Sequence, residues 1–430
     1  MATPRSSGPI AKTWPILVAF FFSGLINNFV YVVFLSAAVD ILESNASLSK
    51  GVVLLADILP SLVVKLVAPY FIHHIRYGTR VVVCSVASFS ALHLVASFQA
   101  LPLRLLGVVL ASAASGLGEL SFLMLTSYFD PVAVSAWSSG TGGAGVTGSL
   151  MFLALTAWFN LSTSTTLRTV SLLPPTMMVF FYLILWSPLR SRGPLGNLEA
   201  FAEPGLAEYR SSMSTDTYSA PLDPTIGDPH RYSHLPKVPV HDMTLNQRLQ
   251  VVRSLLSIYI LPLLVVYWAE YTINQGINPT ILFPLSTAWH YPFKRLKDHY
   301  VYYQAIYQMG VFVSRSSVHW FPIRQVWYPS GAQVGILAVM LSQSLFGWIP
   351  SVWLVFGIIF VEGLLGGATY VNTFFNITHN VPANYREFAL GVVGVGDSIG
   401  ITLAGLTALW LEPSLCRWQQ HHDNDLCIQL

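Results

Sequence analysis

Long apolar runs, separated by short polar stretches, recur from one end of the chain to the other. A helix needs about 20 apolar residues to cross the hydrocarbon core of a bilayer. The pattern predicts eleven such helices: Trp14–Leu42, Val52–Ile72, Val81–Phe98, Leu103–Phe129, Val132–Phe159, Leu167–Trp186, Val252–Gln275, His299–Phe321, Val326–Ile349, Val352–Ile377 and Phe388–Leu411. The runs are too continuous for barrel strands, which alternate inward and outward over about ten residues. In lipid the backbone must satisfy its own hydrogen bonds, so helices remain. The fold class is therefore all-α integral membrane.

Between the sixth and seventh runs, residues 187–251 hold Pro, Gly, Ser, Asp and His with no apolar period. This stretch reads as a polar loop joining two bundles, a 6+5 arrangement of residues 14–186 and 252–411. Residues 1–13 form an N-terminal segment and residues 412–430 a tail. The first run is too long for a cleaved signal and reads as a retained helix. With the N-terminus cytosolic, 14 Lys and Arg fall on the cytosolic side and 7 on the other, in line with the positive-inside rule. The polar loop is then cytosolic and is the natural place for protein partners. Glycosylation sequons at Asn45 and Asn160 fall in non-cytosolic loops, whereas the sequon at Asn376 falls on the cytosolic side and is expected to stay bare.

Composition agrees with this reading. Charged types make up 10% of the 430 residues and the mean hydropathy is +0.56; soluble domains carry about 25% charged residues. The net charge of +2, with no basic stripe, excludes a nucleic-acid partner. Cys84, Cys416 and Cys427 form no Cys-x-x-Cys pair, so neither a zinc site nor a disulfide framework is expected. The ending Cys427-Ile428-Gln429-Leu430 has the outline of a prenylation box. Eleven spans place it in the lumen, where prenyl transfer does not occur. Either the span count is even or the box is accidental.

Polar residues inside the runs carry the candidate chemistry. A charge at the bilayer centre costs about 2.5–3.5 kcal/mol on insertion scales and usually faces a cavity or a partner. Asn27 and Asn28 lie in the first run, Asp57 and Lys65 in the second, and Glu119 in the fourth. Glu270, Asn274 and Gln275 share the seventh, Glu362 and Asn372 the tenth, and Asp397 the eleventh. As a set they predict a path through the bundle for a solute or protons. Taken singly, each could be structural glue, with Asp57 and Lys65 pairing two turns apart. Gly140, Gly142, Gly143 and Gly145 in the fifth run, with Gly366 and Gly367 in the tenth, either let helices approach closely or mark stretches that unwind. The fifth-run glycines follow no strand and lack a Gly-Lys-Ser/Thr ending, so they form no nucleotide loop. Asn27 and Glu270 differ by 243 positions, as do Glu119 and Glu362. This offset predicts two related halves. No metal-ligand cluster or catalytic motif appears, and neither an enzyme nor a cofactor is expected.

Several long motifs resemble the battenin family. They include Leu25-Ile26-Asn27-Asn28-Phe29-Val30-Tyr31, Leu54-Leu55-Ala56-Asp57-Ile58-Leu59-Pro60 and Val64-Lys65-Leu66. Ser115 through Thr126 and Trp137 through Gly145 also fit. In the second half Ala269-Glu270-Tyr271, Ile273-Asn274-Gln275-Gly276, Ser314-Arg315-Ser316-Ser317, Glu362 through Phe374, Arg386-Glu387-Phe388-Ala389 and Asp397-Ser398-Ile399-Gly400 match. The resemblance implies a major-facilitator-like fold in a vacuolar or lysosomal membrane. It also implies a role in vacuolar pH homeostasis and in transport of basic amino acids or glycerophosphodiesters. The expected partners are membrane lipid, a small solute and protons. Arg315 would hold an anionic group or anchor a helix end. Glu119, Glu270, Glu362 or Asp397 would carry protons. The rival reading is a membrane regulator acting through the polar loop.

Overall fold

The computed structural model describes residues 9–37, 51–159, 161–186, 243–284, 296 and 298–422. Every regular element among them is helical: α1 Pro9–Ser36, α2 Gly51–Val67, α3 Tyr77–Ser97, α4 Leu101–Thr126, α5 Val132–Leu153, α6 Thr163–Val170 and α7 Thr176–Phe180 in the first half. The second half holds α8 Leu245–Leu255, α9 Leu261–Thr272, α10 Asp298–Ser316, α11 Trp327–Phe346, α12 Val352–Asn380, α13 Ala383–Val393 and α14 Val395–His421. Asn45, Asn160, Cys427 and residues 187–242 of the polar loop lie outside the described residues.

Six stretches among the described residues are long and apolar enough to span a bilayer: Trp14–Leu35, Tyr77–Ser97, Leu101–Thr126, Leu245–Thr280, Val352–Asn380 and Asn384–His421. The other rods are shorter, as α2 is with 17 residues, or richer in Gly, Ser, Tyr and Gln, as α5 and α10 are.

Several predicted boundaries move, each for a local reason. The sixth span breaks into α6 and α7 at Ser171–Pro175, because Pro174 and Pro175 lack backbone donors. The seventh begins earlier than Val252. Thr244 caps α8 by accepting from Gln247 N while Gln247 Oε1 accepts from Thr244 N at 2.9 Å, so the polar loop ends before 251. The last span does not stop at Leu411. α14 runs through Pro413, and Gln419 donates to Thr280 O at 3.0 Å and Ser344 O at 2.7 Å. Much of the expected tail is thus docked helix. Cys416, near the end of that helix, is disulfide-bonded, contrary to the expectation of no disulfide.

Packing repeats between the halves. α1 lies on α5 and α2 on α4; correspondingly, α9 lies on α14 and α10 on α12. The halves meet where α5 crosses α10 and where α2 crosses α14. Small residues set these crossings. A Cβ on Gly24 would stand 2.5 Å from Trp137 O, and one on Gly140 would run into Phe21 O. On the opposite side of α5, Gly142 lies under Phe312 and Arg315, and Gly145 under Gln308. α5 stays helical through this run. In this structure the glycines sit at close helix contacts and α5 is not unwound.

Candidate functional site

A cavity lies where the halves meet, with about 630 Å³ of unfilled space counting its open side. α1 supplies Asn27, Asn28 and Tyr31, α2 supplies Asp57, Ser61 and Lys65, and α4 supplies Ser112, Ser115 and Glu119. From the second half come Tyr267 and Tyr271 of α9, Arg315 of α10, Tyr370 of α12, and Asp397 and Ser398 of α14. Helical spacing of four and eight residues keeps Asp57, Ser61 and Lys65 on one face.

Lys65 is the electrostatic hub. Its Nζ stands 2.7 Å from Glu119 Oε2 and 2.9 Å from Asp397 Oδ1. The alternative pairing of Asp57 with Lys65 does not form, because Lys65 reaches across to α4 and α14 instead. Asp57 is 1% exposed, and among the described residues neither carboxylate oxygen has a hydrogen-bond partner. Tyr370 OH donates to Glu119 Oε1 at 2.7 Å, and Ser398 Oγ donates to Asp397 Oδ1 at 2.8 Å.

Arg315 forms the second charged corner. Its Nη1 donates to Thr141 Oγ1 at 2.7 Å and its Nη2 to Tyr267 OH at 2.9 Å. The guanidinium carbon sits 4.1 Å over the Tyr370 ring, and among the described residues the buried Nε has no hydrogen-bond partner. A guanidinium with an unused donor, held by neutral groups, can accept an anionic group. Asn27 and Asn28 each donate to a backbone carbonyl, Ser115 O at 3.1 Å and Thr141 O at 3.2 Å, which orients their carbonyl oxygens.

Glu270, Asn274 and Glu362 do not line this cavity. They form a buried cluster behind it: Tyr307 OH donates to Glu270 Oε1, and Asn274 Nδ2 donates to Glu362 Oε1 at 2.8 Å. Gln275 is separate from that face. It accepts from Tyr300 OH at 3.3 Å, being five residues beyond Glu270 and within the π turn Ile273–Ile277. Asn372 is also elsewhere; it accepts from Ile323 N at 2.6 Å and fixes the connection between α10 and α11. Asn376 is buried and donates to the carbonyls of Ile323 and Arg324, so its sequon amide is occupied. Gly366 seats the Glu270 carboxylate and Gly367 seats Ser314.

At the end of the bundle where α1 begins, Glu387 of α13 ties the halves. Tyr77 OH donates to its Oε1 at 2.5 Å and Tyr128 OH to its Oε2 at 2.6 Å. Sequence reasoning missed these tyrosines and the cavity residues Tyr31, Tyr267, Tyr271 and Tyr370. A tyrosine in an apolar run reads equally well as core. The one usable signal was spacing: Tyr267 and Tyr271 lie four apart and bracket Glu270.

The sequence pattern of the CLN3 protein family matches residues 18–418. The chain belongs to the CLN3 (battenin) family. Among its relatives, Protein btn-1 of Neurospora crassa is 44% identical over 429 residues, covering 96% of this chain and 91% of that one. Protein BTN1 of Saccharomyces cerevisiae is 40% identical over 424 residues, covering 97% and 98%. Among solved structures, the human organic anion transporter MFSD10 superposes with a TM-score of 0.59 at 11% identity, over 98% of this chain and 99% of that one. A bacterial homologue of the iron transporter ferroportin, in an outward-facing state, gives 0.55 at 12% identity, over 95% and 99%. At such identity these two neighbours speak to fold, and this CLN3-family chain has the major-facilitator-like fold.

Proposed function

We propose that this chain is a secondary transporter of the vacuolar or lysosomal membrane that moves a small polar solute with a proton-linked cycle, and that it acts as no enzyme. The observation that carries the proposal is the cavity between the halves, with charged groups drawn from both and Arg315 Nε unused. Asp57 suits the cationic group of a basic amino acid; Arg315 suits a carboxylate or the phosphate of a glycerophosphodiester. Membrane-buried charges of this kind usually mark a solute or ion pathway. With the N-terminus cytosolic, the Tyr77–Glu387–Tyr128 clamp closes the cytosolic end, and alternating access requires it to open.

The test is uptake and efflux in sealed proteoliposomes under an imposed pH gradient, with arginine, lysine and glycerophosphodiesters as solutes. The expected result is flux of one class that disappears in Glu119→Gln. No flux of any of them from folded protein would remove the transport reading for these solutes and favour a regulator.

A further inference from the structure

We propose that Glu270 and Glu362 form a proton-binding site of their own, behind the solute cavity and distinct from the Lys65 triad. The inference rests on the transport reading only for its use, since the site is read from hydrogen-bond supply.

Glu270 is 1% exposed and Glu362 0%. Among the described residues neither is in an ion pair, in contrast to Glu119 and Asp397, which share Lys65. Each carboxylate receives one donor on Oε1, from Tyr307 OH and Asn274 Nδ2 respectively. Among the described residues each Oε2 is buried with no hydrogen-bond partner, as is Asn278 Oδ1. Asn278 Nδ2 and Gln304 Nε2 each give a proton to Asn274 Oδ1, at 3.3 Å and 3.0 Å, and among the described residues no donor reaches either Oε2. Two buried carboxylates without a shared cation do not both stay ionised, and a carboxyl proton is what supplies the missing donor.

A metal cation fits less well. It needs several oxygens converging around free space, whereas the Glu270 carboxylate already touches the α12 backbone at Gly366, where a Cβ would collide with it. Among the described residues, the charged and titratable groups that face the pair are Tyr267 and Tyr271 on α9, Tyr307 and Arg315 on α10, and the partner carboxylate itself. Tyr267 binds Arg315 and Tyr271 lines the cavity. Release of a proton from the pair thus places negative charge beside the guanidinium that is left to hold a solute anion, and links the two occupancies.

Infrared difference spectroscopy of the full-length protein in lipid nanodiscs tests this without any solute. At neutral pH and low sodium, a protonated-carboxyl C=O band is expected, lost or shifted in Glu362→Gln or Glu270→Gln and retained in Glu119→Gln. Absence of the band in the unsubstituted protein overturns the proposal, as does a band removed only by Asp57→Asn. Loss of the band on adding sodium at constant pH assigns the pair to a metal cation and also overturns it. In proteoliposomes that show flux, Glu362→Gln is expected to keep solute exchange and lose accumulation driven by a pH gradient. Failure of all flux leaves the infrared result standing, so the two readings fail separately.

Discussion

Lys65 of α2 and Asp397 of α14 meet at 2.9 Å across the boundary between the halves, and Glu119 approaches the same ammonium from α4 at 2.7 Å. One cation thus offsets two carboxylates on three helices. Removing it leaves buried Asp397 and half-buried Glu119 without their shared cation.

Lys65→Met is therefore expected to lower stability by about 3–5 kcal/mol, the usual cost of stranding a buried charge. Thermal melting in detergent measures it. Adding Asp397→Asn to Lys65→Met is expected to recover part of the loss, since one of the stranded charges is removed.

Arg315 is held by Thr141 and Tyr267 through its two terminal nitrogens. Arg315→Lys keeps the charge but not the planar fork. Folding is expected to survive, while solute flux falls at least about tenfold, equivalent to about 1.4 kcal/mol of lost binding. Proteoliposome flux compared with melting temperature separates the two effects.

Tyr77 and Tyr128 each donate to Glu387. Hydrogen bonds to a charged group are worth about 1.5–3 kcal/mol, so Tyr77→Phe together with Tyr128→Phe is expected to favour the conformation open at this end. Thiol labelling of Ser61→Cys in the cavity, with reagent added from the cytosolic side, is expected to accelerate. An unchanged rate would mean that the clamp does not control access.

Gly140 packs on the Phe21 carbonyl, whereas a Cβ on Gly335 would meet nothing within 4 Å. Gly140→Ala is expected to force α1 from α5 and reduce the yield of folded protein. Gly335→Ala is expected to be neutral or stabilising by up to about 1 kcal/mol, from helix propensity alone. Fluorescence size-exclusion profiles compare the two.

Much of the molecule was legible in the sequence because bilayer thickness imposes a length on apolar runs. The cavity charges Asp57, Lys65, Glu119 and Asp397 also stood out, since charge in an apolar run is costly, whereas Arg315 entered only through the Ser314-Arg315-Ser316-Ser317 motif. The two halves share a kind of contact, Asn27 resting on Gly118 of α4 and Glu270 on Gly366 of α12, although these two glycines do not follow the 243-residue offset. What sequence could not give was the partner of each charge. Lys65 sits eight residues from Asp57 and 332 from Asp397, and the pairing with the remote one depends on how α2 crosses α14. The tyrosines were hidden because an aromatic ring suits core and cavity alike. Asn372 and Gln275 misled because a polar side chain within a span can equally hold a connection in place.

The Lys65 triad has a consequence for idle cycling. Parting the halves to expose the other side of the bilayer pulls Asp397 from Lys65 and strips compensation from charges that remain in low dielectric. An empty carrier would meet that penalty in full, whereas a solute bearing its own charges can replace what is withdrawn. On the proposed transport reading, such a triad would oppose slippage and keep a driving gradient from leaking away through unloaded turnovers.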